Sequence, residues 1–91
     1  LEEMMQNGFE LGQNIPNPTA GTTQINYQTP VNGELLFQVF NSQGQLVYSE
    51  KLKKPAGTHN LTIDCTNLSA GVYYYSLEMN SYRRLKKMVV R

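Results

Sequence analysis

Residues 34–52 read "ELLFQVFNSQGQLVYSEKL". Leu35, Phe37 and Val39 recur at every second position, which is the period of a strand and not of a helix. Leu36 and Phe40 occupy the opposite face, so Glu34–Asn41 is expected to be a central strand buried on both sides. "NSQGQ" then turns the chain, with Gly44 in the left-handed position, and Leu46–Leu52 follows as the next strand.

The same pattern spreads in both directions. Upstream, Thr23–Gln28 alternates with Ile25 and Tyr27 on one face, and "VNGE" offers Asn32-Gly33, the strongest short hairpin signal. Downstream, "KKPAGT" is a break. Thr58–Cys65 then sets His59, Leu61, Ile63 and Cys65 against Thr58, Asn60, Thr62 and Asp64. "TNLSAG" makes a longer corner, and Gly71–Met79 and Tyr82–Arg91 form a hairpin around Asn80-Ser81. No helical period occurs anywhere. Close strand spacing without helices predicts an all-β fold, an immunoglobulin-like antiparallel β-sandwich of about seven strands.

Residues 1–10 show no clear period and are expected to be a linker end or a weak first strand, with the domain proper at 11–91. "NIPNPTAGTT", residues 14–23, opens that domain. Pro16 and Pro18 hold φ near −65° and push the residues before them to extended conformations. A rigid leading arm is therefore expected here, since a flexible one is rich in Gly and Ser.

Composition narrows the function. The chain has 91 residues and a net charge of +1, which argues against a general nucleic-acid binder. No apolar run approaches the ~18 residues that a membrane-spanning helix needs, and no basic-then-apolar leader opens the sequence. Charge is unevenly placed: Glu2, Glu3 and Glu10 lie at one end, and Arg83, Arg84, Lys86, Lys87 and Arg91 at the other. A single cysteine, Cys65, excludes an internal disulfide and a Cys-based zinc cage.

Catalysis needs convergent acid, base or nucleophile groups, and the chain holds one His, one Cys and one Asp. His59 and Cys65 share a strand face but lie six residues apart, roughly 20 Å at strand rise, too far for a Cys–His pair. A half-buried histidine and an inert core thiol are expected instead. Asp64 is isolated, so no calcium site is expected, and no Gly-rich phosphate loop precedes a helix. Asn60-Leu61-Thr62 matches the N-glycosylation acceptor pattern, a match common by chance. The domain reads as non-enzymatic, with no cofactor and no metal.

What stands out is the last strand. Strand formers and basic residues continue to Arg91, where loose polar residues are the rule, so this end is expected to be the working part. Tyr82, Arg84, Lys86, Met88 and Val90 point one way, and Arg83, Leu85, Lys87, Val89 and Arg91 the other. Neither face is wholly apolar, which places the strand at a sheet edge. Its cations can simply block edge-to-edge pairing, or they can make it a docking handle to which an acidic partner adds a strand. Tyr73, Tyr74 and Tyr75 likewise have two readings: rings packed in the core with hydroxyls at the rim, or a stacked platform for sugars.

In order along residues 11–91, "LGQNIPNPTAGTTQINYQTP", "GELLFQVFNSQGQLVYSEKL" and "PAGTHNLTIDCTNLSAGVYYYSLEMNSYRRLKKMVVR" resemble the C-terminal sorting domain, type A, of the type IX (Por) secretion system of Bacteroidota. The resemblance implies an Ig-like sandwich that carries an upstream, covalently linked passenger through the outer-membrane translocon. It implies translocon and shuttle proteins as partners, transit through the periplasm, and a final location at the cell surface or outside. A surface transpeptidase is implied to remove the domain, cutting within or upstream of the first ten residues, and to be able to join the passenger to an anionic lipopolysaccharide at the surface. By position, Pro16, Asn17 and Pro18 match the family's opening motif, Gly71, Val72 and Tyr73 its Gly-Val-Tyr motif, and Lys86, Lys87 and Arg91 its basic end. Cys65 stands where a small or apolar residue is usual, and Arg91 where Lys is common. An accessory carbohydrate-binding sandwich of a secreted hydrolase is the alternative, and it requires the three tyrosines to be exposed in a flat row.

Overall fold

The computed structural model describes residues 1–91. In chain order it contains α1 (Glu2–Gly8), β1 (Glu10–Leu11), β2 (Thr22–Thr29), β3 (Gly33–Asn41), β4 (Leu46–Lys54), β5 (Gly57–Asp64), β6 (Gly71–Met79) and β7 (Tyr82–Val90). The strands form a three-stranded antiparallel sheet, β1-β2-β5, facing a four-stranded one, β4-β3-β6-β7. This is the expected all-β, Ig-like sandwich of seven strands. Relative to the constant-type arrangement, the fourth strand has left the smaller sheet to pair with β3.

Alternation builds the core. β2 is buried at every second residue, with Thr23, Ile25, Tyr27 and Thr29 inward and Thr22, Gln24, Asn26 and Gln28 in solvent. From the facing four-stranded sheet, Leu35, Phe37 and Val39 of β3, Tyr73, Tyr75, Leu77 and Met79 of β6, and Met88 and Val90 of β7 point inward to complete the core. Each fully buried aliphatic or aromatic side chain contributes about 1.5–3 kcal/mol. β3 is central, and Leu36 and Phe40 on its outer face are half-buried. The outer face of the four-stranded sheet is thus partly covered, where full burial on both sides was expected.

Two local readings give way to tertiary pairing. Asn32-Gly33 is not a hairpin turn, because β2 and β3 belong to different sheets. β2 finds its partner in β5 over eight residue pairs, which outweighs what a two-residue turn can enforce. Asn32 instead accepts a hydrogen bond at Oδ1 from the Ala56 amide, 2.7 Å away, and ties together two sheet-to-sheet crossings. Residues 1–10 are neither linker nor strand for most of their length. They form α1, whose Met5 is fully buried, and Phe9 follows it into the core. A seven-residue helix cannot stand alone in water; this one exists because Met5 and Phe9, four residues apart, find a hydrophobic seat.

The leading arm bends more than its prolines suggest. Ile15 exchanges backbone hydrogen bonds with Gln24 of β2, and past the prolines Thr19 bonds to Val89 and Arg91 beside β7. Residues 12–19 therefore leave one sheet and join the other, with both Xaa-Pro bonds cis. Buried Asn14 holds the bend, donating through Nδ2 to Pro16 O at 3.0 Å and Thr23 Oγ1 at 3.1 Å.

The β6–β7 turn is as expected. Asn80 (φ 51°) and Ser81 (φ 71°) both occupy the left-handed region, the geometry of a two-residue hairpin that matches strand twist. Serine bears a Cβ penalty there that glycine avoids. Ser81→Gly is expected to raise the unfolding free energy by about 0.5–1 kcal/mol, read as a higher urea midpoint at unchanged slope.

Candidate functional site

The three motifs singled out by resemblance lie far apart in sequence and meet at one end of the sandwich. β6 and β7 pair Gly71 with Val90, Val72 with Val89 and Tyr73 with Met88. On the far side of β7, Asn17 Oδ1 accepts from the Val89 amide at 2.9 Å, and Thr19 N donates to Val89 O at 2.9 Å. The Pro16–Asn17–Pro18 bend, the basic strand and the start of β6 thus lie side by side. Pro16, Asn17, Pro18, Gly71, Lys86, Lys87 and Arg91 are exposed, Val72 is half-buried and Tyr73 is buried.

Tyr73 has a structural task. Its hydroxyl donates to Ser69 O at 2.7 Å, four residues upstream at the corner that leads into β6. That is the tyrosine corner of immunoglobulin-like sandwiches. Tyr75 also points inward, so of the three consecutive tyrosines only Tyr74 is on the surface, 38% exposed. The flat row that a sugar platform needs is not there.

The cations divide between faces. Lys87 and Arg91 alternate to the outer face of the sheet. Lys86 and Arg84 lie on the core-facing side, at the rim of an open groove that Phe9, Glu10 and Leu11 also line. β7 is an edge strand, but its outward edge is partly occupied. Gln13 Nε2 donates to Lys87 O at 2.7 Å, and Asn17 and Thr19 fill the positions beside Val89 and Arg91. A partner strand cannot add along residues 87–91 without displacing the proline bend.

Sequence reasoning gave Arg84 no role beyond charge. Its guanidinium lies 5.2 Å from the Phe9 ring centroid and donates to Phe9 O and Met5 O, both at 3.0 Å. It therefore caps the carbonyl end of α1, where a cation is favoured. The only sequence sign was its place on the inward-facing half of the alternation.

The potentially reactive groups are structural. Cys65 is buried, and burial, then Asp64, push its thiol pKa up, away from the thiolate. His59 stacks on Tyr27 at 5.4 Å between ring centroids, and its Nε2 lies 2.8 Å from Pro55 O. No cluster of three His, Cys, Asp or Glu side chains is placed to hold a metal ion. No helix is long and apolar enough to cross a membrane.

None of the curated proteins compared with this chain matches it. A family does: the model of the secretion system C-terminal sorting domain covers residues 14–91, from the buried Asn14 through the whole of β7. α1 and β1 lie outside that stretch, although Met5 of the one and Leu11 of the other are buried in the core. The match spans the proline bend, the tyrosine corner and the basic strand that the fold brings together, and the chain belongs to this family, the sorting domains of type IX secretion.

Proposed function

We propose that this domain is a non-catalytic address that directs an upstream passenger through the type IX outer-membrane translocon, after transit through the periplasm, to the cell surface. The match over residues 14–91 carries this reading. Pro16, Asn17, Pro18, Gly71, Val72, Lys86, Lys87 and Arg91 form the recognition end, and Tyr73 acts beneath them by fixing the corner. Recognition there runs through side chains, which the occupied outward edge of residues 87–91 supports. A surface transpeptidase then removes the domain. A cut that releases it folded falls before Met5, since Met5 and Phe9 belong to the core.

The test fuses residues 1–91 behind a reporter carrying an export leader, in a bacterium with a working type IX system. Surface or extracellular reporter is expected; reporter held in the periplasm, as without the domain, would count decisively against the reading. Lys86, Lys87 and Arg91 changed together to Glu should lower export at least tenfold. Stability should barely move, because exposed charges each matter by under about 1 kcal/mol. Unfolding of that variant would make the three residues structural and remove them from the recognition end.

A further inference from the structure

The two outer faces of the sandwich differ in kind. On the three-stranded sheet, β2 and β5 present Thr22, Gln24, Asn26, Gln28, Thr58, Asn60, Thr62 and Asp64, all exposed and nearly all uncharged and polar. On the four-stranded sheet, direct cross-strand partners align Leu46, Phe40, Tyr74 and Lys87 in one row over all four strands. Leu46 is 51% exposed, Tyr74 38%, and Leu85, one row further along β7, 55%. Val72 and Val89, paired in the neighbouring row, are half-buried on the same side. Arg83 reaches across this surface, its guanidinium 5.5 Å from the Phe40 ring centroid and 3.4 Å from Ser76 Oγ.

Exposed aromatic and aliphatic groups in a contiguous row, with arginine laid over them, have the composition of protein interfaces. Charge indicates the partner. Lys51, Lys53, Arg83, Lys87 and Arg91 fall on or beside this face by register and alternation; Lys53 and Arg83 stand opposite Glu34 and Glu78 at one end, which leaves Lys51 and Lys87 facing apolar or aromatic cross-strand partners instead of carboxylates. We infer that the outer face of β4-β3-β6-β7, centred on Phe40 and Tyr74, is the docking surface for a protein partner that presents apolar side chains flanked by carboxylates. Burying Tyr74, Leu46 and Leu85 supplies affinity, and Arg83 and Lys87 set orientation and rate of encounter. The inference rests on the sorting reading and locates its docking surface on a sheet face instead of a strand edge.

The experiment uses the same reporter fused to residues 1–91. Tyr74→Ser with Leu85→Ser, and separately Arg83→Glu with Lys87→Glu, are compared with Gln24→Ser with Thr62→Ser on the opposite face. Each purified domain is first checked for an unchanged urea midpoint, and Tyr74→His replaces Tyr74→Ser where that fails. Both face variants should lose export at least tenfold, while the opposite-face variant exports like the original. Export of the face variants at the original level overturns the docking surface while leaving the sorting reading intact. Failure of the unaltered fusion to export overturns the sorting reading itself. Vesicles of phosphatidylcholine with phosphatidylglycerol provide the second arm. Binding to them that Tyr74→Ser abolishes would assign the face to an anionic membrane and overturn the protein partner.

Discussion

Removing residues 1–9 is expected to lower the unfolding free energy by about 4–7 kcal/mol, enough to unfold much of the population of a domain whose whole stability is about 5–15 kcal/mol. Met5 and Phe9 are 0% and 1% exposed, and each contributes about 1.5–3 kcal/mol of burial. Their loss also opens the core between β1 and β7 to water. Arg84 then loses its carbonyl acceptors and the Phe9 ring, the latter contact worth about 0.5–2 kcal/mol. Urea unfolding of residues 10–91 beside residues 1–91, followed by tyrosine near-ultraviolet dichroism, measures the difference. Removing only residues 1–3, whose side chains are exposed, should change the midpoint little. Equal midpoints for 1–91 and 10–91 would mean that α1 is an ornament of the fold, and a folded domain could then be released by a cut after Met5.

Tyr75→Ala is expected to cost about 3–5 kcal/mol from the emptied ring site alone. The ring is fully buried and packs 6.1 Å from Phe37, centroid to centroid. Its hydroxyl donates to Gly12 O at 2.7 Å and accepts from Asn14 N at 2.8 Å, so it pins the leading arm to β6. Tyr75→Phe keeps the ring and should cost about 1–3 kcal/mol, because the Asn14 amide is left buried without its acceptor. Burial pushes the Tyr75 phenol up to about 12 from an ordinary value of 10.0, the Asn14 amide pulling weakly the other way. A pKa raised in the folded state means that the native protein holds its proton longer than the unfolded chain does. Stability from this group is therefore intact below about pH 10 and falls as pH climbs through about 12. Tyr27 and Tyr48 are raised as well, so Tyr75→Phe should flatten the alkaline fall without abolishing it. An identical fall in the two proteins between pH 10 and 12 would disprove the assignment.

Much of the fold is legible because a strand's period is local. Leu35, Phe37 and Val39 announce β3 without help from the rest of the chain, and Asn80-Ser81 announces the last turn. What is not legible is decided by partners distant in sequence. Asn32-Gly33 has the chemistry of a hairpin, yet β2 pairs with β5 instead, a choice made by eight residue pairs that a two-residue signal cannot see. α1 shows no period because only Met5 and Phe9 matter to it, and the cation that fastens it is Arg84. The site shows the same division. Proline, glycine and lysine motifs are visible as motifs, but that they share one end of the sandwich follows from the β6–β7 register. Tyr73 looks like part of a recognition motif and serves as a corner post, since alternation gives a side chain's face and not its hydrogen-bond partner. Tyr74, between two buried tyrosines, is the one that lies on the surface, and the row it forms with Phe40 and Leu46 follows only from the register of β3 with β4 and β6.

The clasp between the two ends of the chain also sets a time. Arg84 holds carbonyls of Met5 and Phe9, Gln13 holds Lys87, and Asn17 holds Val89, each link closing a loop of more than seventy residues. Local bonds of Asn14 and Ile15 hold the start of the proline bend, but neither α1 nor residues 17–19 reach their native seats until residues 84–91 are available. Loops of that length close late and at an entropic cost that nothing local repays. The docking of α1 and of the outer part of the proline bend is accordingly a late event in folding, completed only once β7 is free to receive them.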